Sequence, residues 1–298
     1  MLALITGASS GIGLMYAREL ASQGHDLIIV SNQEKELEEV RAQLVEQYGV
    51  KVWSVYKDLT DEHAAEELHD YCLEQNLEVD ILINNAGVFF FNFLNDISLK
   101  RIELMLKLHV LNTVRMTRLF GEDMQKRNTY VEEIIDENGE KQLLTHIKPK
   151  QDQRPGYILN MSSMSAWMAM PGIQCYNATK AFINNFSHSM WYELRPYGVN
   201  LLSVTPGAVD TGLYGLSMPL RRLAVAIRVS IPPEKLVKKA IKALFKGKKN
   251  CMPGLVNHIA VPFLKHLPDW LINFAIRHLA SGSCSRLRRC LPAVYEAQ

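Results

Sequence analysis

Short apolar runs alternate with amphipathic stretches along the first 250 or so residues. Runs at 2–6, 27–30, 50–56, 79–83, 157–159 and 200–205 predict strands buried on both faces, and a last short strand is expected within 251–259. Helices are predicted at 14–23, 34–48, 62–74, 99–124, 175–193 and 234–246. In the second of these, Leu37, Val40, Leu44 and Val45 fall on one face. Strand–helix alternation of this kind predicts an α/β domain built on a parallel sheet.

Two stretches break the alternation. Residues 130–147 read as two strands around Asn138-Gly139, the strongest short-range hairpin signal. This hairpin joins a helix to the next strand, a connection that lies at the edge opposite a ligand crevice. It is therefore expected to serve assembly or docking rather than catalysis. Residues 212–231 form an apolar, lid-like segment. Beyond the 1–259 domain, a C-terminal extension over 260–298 pairs Trp270, Leu271 and Phe274 with Arg286, Arg288 and Arg289. The extension reads either as an interfacial amphipathic segment or as a cover over the sheet and a neighbouring subunit.

Composition sharpens this picture. With 298 residues, 48% hydrophobic and 21% charged, the chain can fill the core of one large domain. Its formal charge of +2 hides an asymmetry: residues 1–220 carry 18 lysines and arginines against 28 acids, and residues 221–298 carry 15 against 3. Such a basic segment is either a solvated tail or a surface for an anionic partner: a membrane, a phosphorylated substrate or the chain's own acidic body. No reading module for nucleic acid accompanies it, so no nucleic-acid partner is expected. A strand starting at residue 2 leaves no room for an export signal, and charges and prolines interrupt every candidate span. Five scattered cysteines without metal spacing predict reduced thiols, a cytoplasmic location and no metal.

The candidate chemistry sits in a few places. The first strand runs into Gly7-Ala-Ser-Ser-Gly-Ile-Gly13 and a helix start, the context in which glycines let a backbone approach a pyrophosphate. At the end of the second strand stand Ser31 and Asn32, with no acid to accept from a free ribose 2′-hydroxyl; this favours NADP over NAD. Asp58 follows the third strand, placed both to meet an adenine and to cap the next helix. Asn84-Asn-Ala-Gly87 ends the fourth. Tyr176 and Lys180 lie one helical turn apart, where an ammonium lowers a phenol's pKa toward the working range of a general acid. Ser163 precedes that tyrosine by thirteen positions.

Thr6-Gly-Ala-Ser-Ser-Gly-Ile-Gly13, Asn84-Asn-Ala-Gly87, Ser163, Tyr176-x-x-x-Lys180 and Pro206-Gly207 occur in the order of the short-chain dehydrogenase/reductase motifs, and the chain resembles that family over about residues 1–250. The resemblance implies a Rossmann-type, doubly wound sheet of about seven parallel strands with helices on both faces. It implies a nicotinamide cofactor held by Gly7, Ser9, Ser10, Gly11, Ile12 and Gly13 at the phosphates. Ser31, Asn32, Asp58, Leu59, Asn85, Ala86 and Gly87 would lie along the adenosine. Tyr176, Lys180, Pro206, Gly207, Val209 and Thr211 would lie around the nicotinamide. Tyr176 would exchange a proton with the substrate oxygen, Lys180 would hold the ribose and activate the tyrosine, and Ser163 would hold the substrate oxygen.

One position departs from the pattern. The family asparagine that helps keep a water linking the lysine to solvent is His109 here. A histidine binds water and titrates near neutrality, so two readings stand: a modified proton relay, with His109 counted among the catalytic residues, or a ring that simply packs in its helix. Met164, Trp167, Met168 and Met170 lie between Ser163 and Tyr176. With the apolar lid they predict a bulky apolar substrate. In layout the chain is similar to long-chain keto-lipid reductases, which implies a 3-oxoacyl or 3-ketosphinganine type of ketone. A steroid- or retinoid-type alcohol dehydrogenase is the alternative, and a nucleotide-sensing scaffold without turnover is a third. A homodimer or homotetramer is expected, with peripheral membrane contact through the C-terminal extension.

Overall fold

The computed structural model describes residues 1–135, 141–168, 170–209, 230–254, 268 and 270. Its centre is a seven-stranded, wholly parallel sheet. The strands are β1 (Leu2–Thr6), β2 (Asp26–Ser31), β3 (Val52–Tyr56), β4 (Ile81–Asn84), β7 (Gly156–Met161), β8 (Val199–Val204) and β11 (Asn250–Cys251), in the spatial order β11-β8-β7-β4-β1-β2-β3. Strand order reverses at β1, which lies between β2 and β4. In an open α/β sheet a ligand binds at such a reversal, beyond the carboxyl ends of the strands.

Each strand is apolar on both sides because each side is covered. On β1, Ala3 and Ile5 face one layer and Leu4 the other. The first layer holds α1 (Gly11–Ser22), α2 (Glu34–Tyr48) and α7 (Pro233–Phe245), which contribute Tyr16, Leu37 and Ile241. The second holds α3 (Ala64–Glu74), α5 (Thr113–Lys126) and α6 (Gln174–Leu194), which contribute Leu68, Phe120 and Trp191. Helix α2 stops where Gly49 takes up a left-handed conformation (φ 67°).

The helix expected over 99–124 is interrupted. Helix α4 (Leu99–Leu106) passes through a π-helical turn, Lys107–Asn112, before α5 begins. Nothing in the apolar spacing announces this turn, since Met105, Leu108, Met116 and Phe120 are buried on a face that an uninterrupted helix would also present. Parallel strands β9 (Ala208–Val209) and β10 (Ser230–Ile231) form a small separate sheet that was not anticipated. The rest of the lid-like segment, and the C-terminal extension apart from Pro268 and Trp270, lie outside the described residues.

The hairpin is real: β5 (Thr129–Ile135) pairs antiparallel with β6 (Lys141–Ile147), apart from the main sheet. Its root is fixed at the strands' N-terminal edge. Buried Asn128 donates to the carbonyls of Arg154 (2.8 Å) and Tyr197 (2.7 Å) and accepts from Arg154 N–H (2.8 Å). Asp80, 2% exposed at the foot of β4, pairs with Arg127 (3.1 Å) and Arg154 (2.7 Å).

Candidate active site

The glycine turn and the Asn84–Gly87 turn meet at the switch point. Gly7 and Gly11 have positive φ (67° and 57°), and the Gly7 N–H donates to Val30 O at 2.8 Å. A side chain on Gly13 would place its Cβ 2.1 Å from Gly7 O, so only glycine lets α1 seat this close to the turn. Ser10, the N-cap of α1, makes no side-chain cap, which leaves the N–H groups around Gly11, Ile12 and Gly13 free of a side-chain acceptor. An uncapped helix start beside a backbone with no room for a Cβ fits a phosphate.

Thr6 ties the two turns together. Its hydroxyl donates to Ile83 O and accepts from the N–H groups of Asn85 and Ala86, both at 3.0 Å. The Asn85 amide returns a bond to Thr6 O at 3.0 Å. Ser31 and Ser9 share a hydrogen bond between their hydroxyls (2.9 Å), and Ser9 Oγ also donates to Gln33 Oε1 at 2.7 Å. Gln33 was not anticipated; only its place two residues past Ser31 hints at it. Asn32 is exposed beside them, and Leu59 is buried. Asp58 Oδ1 accepts from the N–H and the hydroxyl of Thr60 at 2.9 and 2.8 Å. Helix α3 begins only at Ala64, so Asp58 closes a local turn and is not its cap.

The proton-transfer candidates come from β7 and α6. Ser163 leaves the strand and accepts from Ser165 N–H (3.2 Å), opening a short 3-10 turn, Met164–Trp167. Ser162 Oγ donates to Lys180 O at 2.7 Å and so fixes α6 against the strand end. Lys180 is 6% exposed and donates one N–H to Met161 O at 2.9 Å. Burial pushes its pKa down from 10.5 to about 8. The ammonium lies 5.5 Å from the centre of the Tyr176 ring. An ammonium with further N–H groups beside a phenol fits a nicotinamide ribose. Pro206 and Gly207 are buried behind Ser163, with Pro206 O accepting from Met164 N–H (2.8 Å), and Val209 is buried in β9. Thr211 lies outside the described residues.

His109 does not match the expected water relay. Its Nε2 accepts from Val88 N–H at 3.0 Å and its Nδ1 meets Thr179 Oγ1 at 2.9 Å. Both nitrogens are taken by protein and the ring is 1% exposed. Burial, then the charge of Lys180, holds its pKa well below the usual histidine range. The ring is neutral at working pH and has no nitrogen left for a water.

The wall beside Tyr176 contains aromatic residues that sequence reasoning passed over. Phe89 meets the Tyr176 ring edge to face, with centroids 5.1 Å apart. Phe91 packs against Gly172, and Asn92 N–H donates to Gly172 O (2.8 Å), which zips residues 89–93 to the approach of α6. The signal was present as Phe89-Phe-Phe-Asn-Phe93, directly after the Asn84–Gly87 turn. Trp167 and Met168 are half-buried nearby in sequence, and Met170 is exposed.

Comparison with known proteins agrees with this geometry. The short chain dehydrogenase family model matches residues 1–130 and 138–217, and the chain belongs to that family. The gap in the match falls within the hairpin. Among relatives, a very-long-chain 3-oxoacyl-CoA reductase of Anas platyrhynchos is 29% identical over 224 residues, covering 73% of this chain and 62% of its own length. The 17-beta-hydroxysteroid dehydrogenase type 3 of Rattus norvegicus is 27% identical, covering 89% of this chain and 75% of its own. A solved short-chain dehydrogenase from Sphingobium yanoikuyae in complex with NADPH superposes with a TM-score of 0.70 at 24% identity, over 100% of this chain and 98% of that one. The chain is thus an oxidoreductase of the short chain dehydrogenase class.

Proposed function

We propose that this chain reduces the keto group of a bulky apolar substrate of the 3-oxoacyl thioester class, using NADPH. The observation that carries the reading is the buried Lys180 ammonium beside Tyr176, one turn along the same helix. A nicotinamide held beside Lys180 and Tyr176 would supply the hydride for the carbonyl carbon. The protein's part is proton control and placement. Ser163 Oγ donates to the substrate oxygen and orients it. As the C–H bond forms and the C=O π bond breaks, the Tyr176 O–H proton passes to that oxygen. The phenolate left behind is stabilised by Lys180 and regains its proton from solvent.

Phe89, edge to face against Tyr176, supplies an apolar wall that would exclude water from the keto group. NADPH is favoured because Ser9, Ser31 and Gln33 offer hydroxyl and amide groups, and the end of β2 carries Ser31 and not a carboxylate. The rigid aromatic wall also suits a fused-ring ketone, which keeps the steroid class as the second reading. Oxidation of NADPH by purified protein, measured against 3-oxoacyl thioesters of increasing length and a set of ketosteroids, tests both. Turnover rising with acyl length supports the first, steroid-only turnover replaces it with the second, and turnover unaltered by Tyr176→Phe sinks both.

The protein is further proposed to work as a homo-oligomer. Val131, Ile135, Leu143 and Ile147 share one hairpin face and are 42–70% exposed. Among the described residues the two ionised groups on that face, Glu133 and Lys141, pair with each other at 2.6 Å, so these parts of an identical face meet no net repulsion. Among the described residues no helix is long and apolar enough to cross a membrane. A cytoplasmic protein touching membranes through its basic C-terminal segment is the location proposed.

A further inference from the structure

We infer that Thr179 is a positioning residue. Together with His109 it forms a one-way hydrogen-bonded brace that sets the Asn84–Gly87 turn against the helix carrying Tyr176 and Lys180. The inference rests on the reaction proposed above for Tyr176. It assigns a role to two residues that touch neither substrate nor cofactor.

The direction of each bond follows from the donors available. A backbone N–H can only donate, so the Val88 N–H at 3.0 Å fixes His109 Nε2 as the bare nitrogen. The ring proton is then on Nδ1, and Thr179 Oγ1 at 2.9 Å accepts it. The Thr179 hydroxyl hydrogen is left for its remaining partner, Tyr176 O, at 2.8 Å. The chain therefore runs Val88 N–H to His109, His109 to Thr179, Thr179 to the main chain of Tyr176, with one consistent assignment of protons. His109 and Thr179 are each 1% exposed, so water cannot substitute for either partner.

The surroundings are shaped to this ring. A Cβ on residue 87 would lie 2.9 Å from His109 Nε2, so Gly87 makes the space in which the imidazole reaches the next N–H. The π-helical turn Lys107–Asn112 carries His109, and a wide turn of this kind is rare outside functional sites. The imidazole meets the Tyr176 ring in a T-shaped contact, with centroids 5.8 Å apart. The brace thus links the backbone that meets the cofactor to the residue that moves the proton. Its loss shifts Tyr176 relative to the hydride donor without removing any reacting group, and a displacement of that kind lowers kcat more than it raises KM.

The test compares Thr179→Val, which keeps shape and loses the hydroxyl, with Thr179→Ser, which keeps the hydroxyl, and adds His109→Ala and the His109→Ala/Thr179→Val double variant. Thr179→Val is expected to lower kcat about tenfold, the rate equivalent of one buried hydrogen bond. Thr179→Ser restores most of that loss. The double variant is no slower than the slower single one, because both break the same chain. None of them adds or removes a pH limb near neutrality. A readout independent of turnover is amide exchange: Val88 N–H exchanges faster in Thr179→Val and His109→Ala, while the core amide of Leu4 does not. Unchanged Val88 exchange, strictly additive rate losses or a lost neutral pH limb overturns the brace. If the wild type reduces no ketone yet Val88 responds as described, the brace stands and the proposed reaction fails.

Discussion

The Lys180 ammonium donates to Met161 O at 2.9 Å, and among the described residues no carboxylate pairs with it. An almost fully buried cation balanced by a carbonyl dipole is poised to give up its charge, which is why its pKa falls to about 8. The consequence for stability has a definite sign. Between about pH 8 and pH 10.5 the unfolded chain holds a proton on this lysine that the folded chain has released, so this residue's contribution makes the protein more stable as pH rises through that window. Urea unfolding without cofactor at pH 8 and pH 10 should show it as a gain on the order of 2 kcal/mol that Lys180→Met lacks. An equal pH response in the two proteins would show that the lysine is not titrating there.

The same pair governs turnover. Tyr176→Phe removes the transferred proton and should lower kcat by roughly 10²- to 10⁴-fold, the usual worth of a positioned acid. Lys180→Met leaves the phenol but not the cation that stabilises its anion, so its loss should be of similar size. NADPH fluorescence titration separates the two: Tyr176→Phe keeps cofactor affinity, and Lys180→Met weakens it. A Tyr176→Phe protein with wild-type turnover would remove the tyrosine from the chemistry.

Phe89 contacts the proposed acid directly, ring edge to face at 5.1 Å. Phe89→Ala opens the wall beside Tyr176. We expect KM for a long-chain ketone to rise about tenfold, the cost of one unfilled aromatic contact, with a smaller change for a short ketone. Steady-state kinetics across a chain-length series checks this. Uniform loss across the series would mark Phe89 as a support for Tyr176 and not as a specificity contact.

The parts of this site that were legible in the sequence are those where chemistry demands a residue type. Gly13 admits no side chain, and Tyr176 and Lys180 must share a helix face, so the letters carry the geometry. The hairpin was legible because Asn138-Gly139 is punctuation that few other structures use. What could not be read depends on partners distant in the chain. The two readings of His109, relay or packed ring, stayed open because nothing local shows that Val88 and Thr179 occupy both nitrogens. Asp58 looked like a helix cap because its preference for Thr60 is decided by where α3 starts. The π-helical turn left the apolar spacing of 99–124 intact, and so left no trace in it. Phe89–Phe93 was passed over because a run of aromatic letters between a strand and a helix reads equally well as core.

The hairpin offers the sharpest separation of assembly from catalysis. A two-stranded ribbon is marginal alone in water, yet this one extends from a root held by Asn128 and by Asp80 with two arginines. One face presents Val131, Ile135, Leu143 and Ile147 with its charges already paired. Val131→Ser with Leu143→Ser leaves the root and the Glu133–Lys141 pair in place and removes the apolar centre. Light scattering behind size-exclusion chromatography should then show a smaller species at equal protein concentration. Turnover per site should change less than about twofold, because this hairpin joins α5 to β7 at the edge of the sheet opposite Tyr176, and surface changes remote from a site have small effects. An unchanged mass would mean that the face is not what holds copies together. Loss of turnover in a folded, smaller species would mean that a second copy helps complete the site.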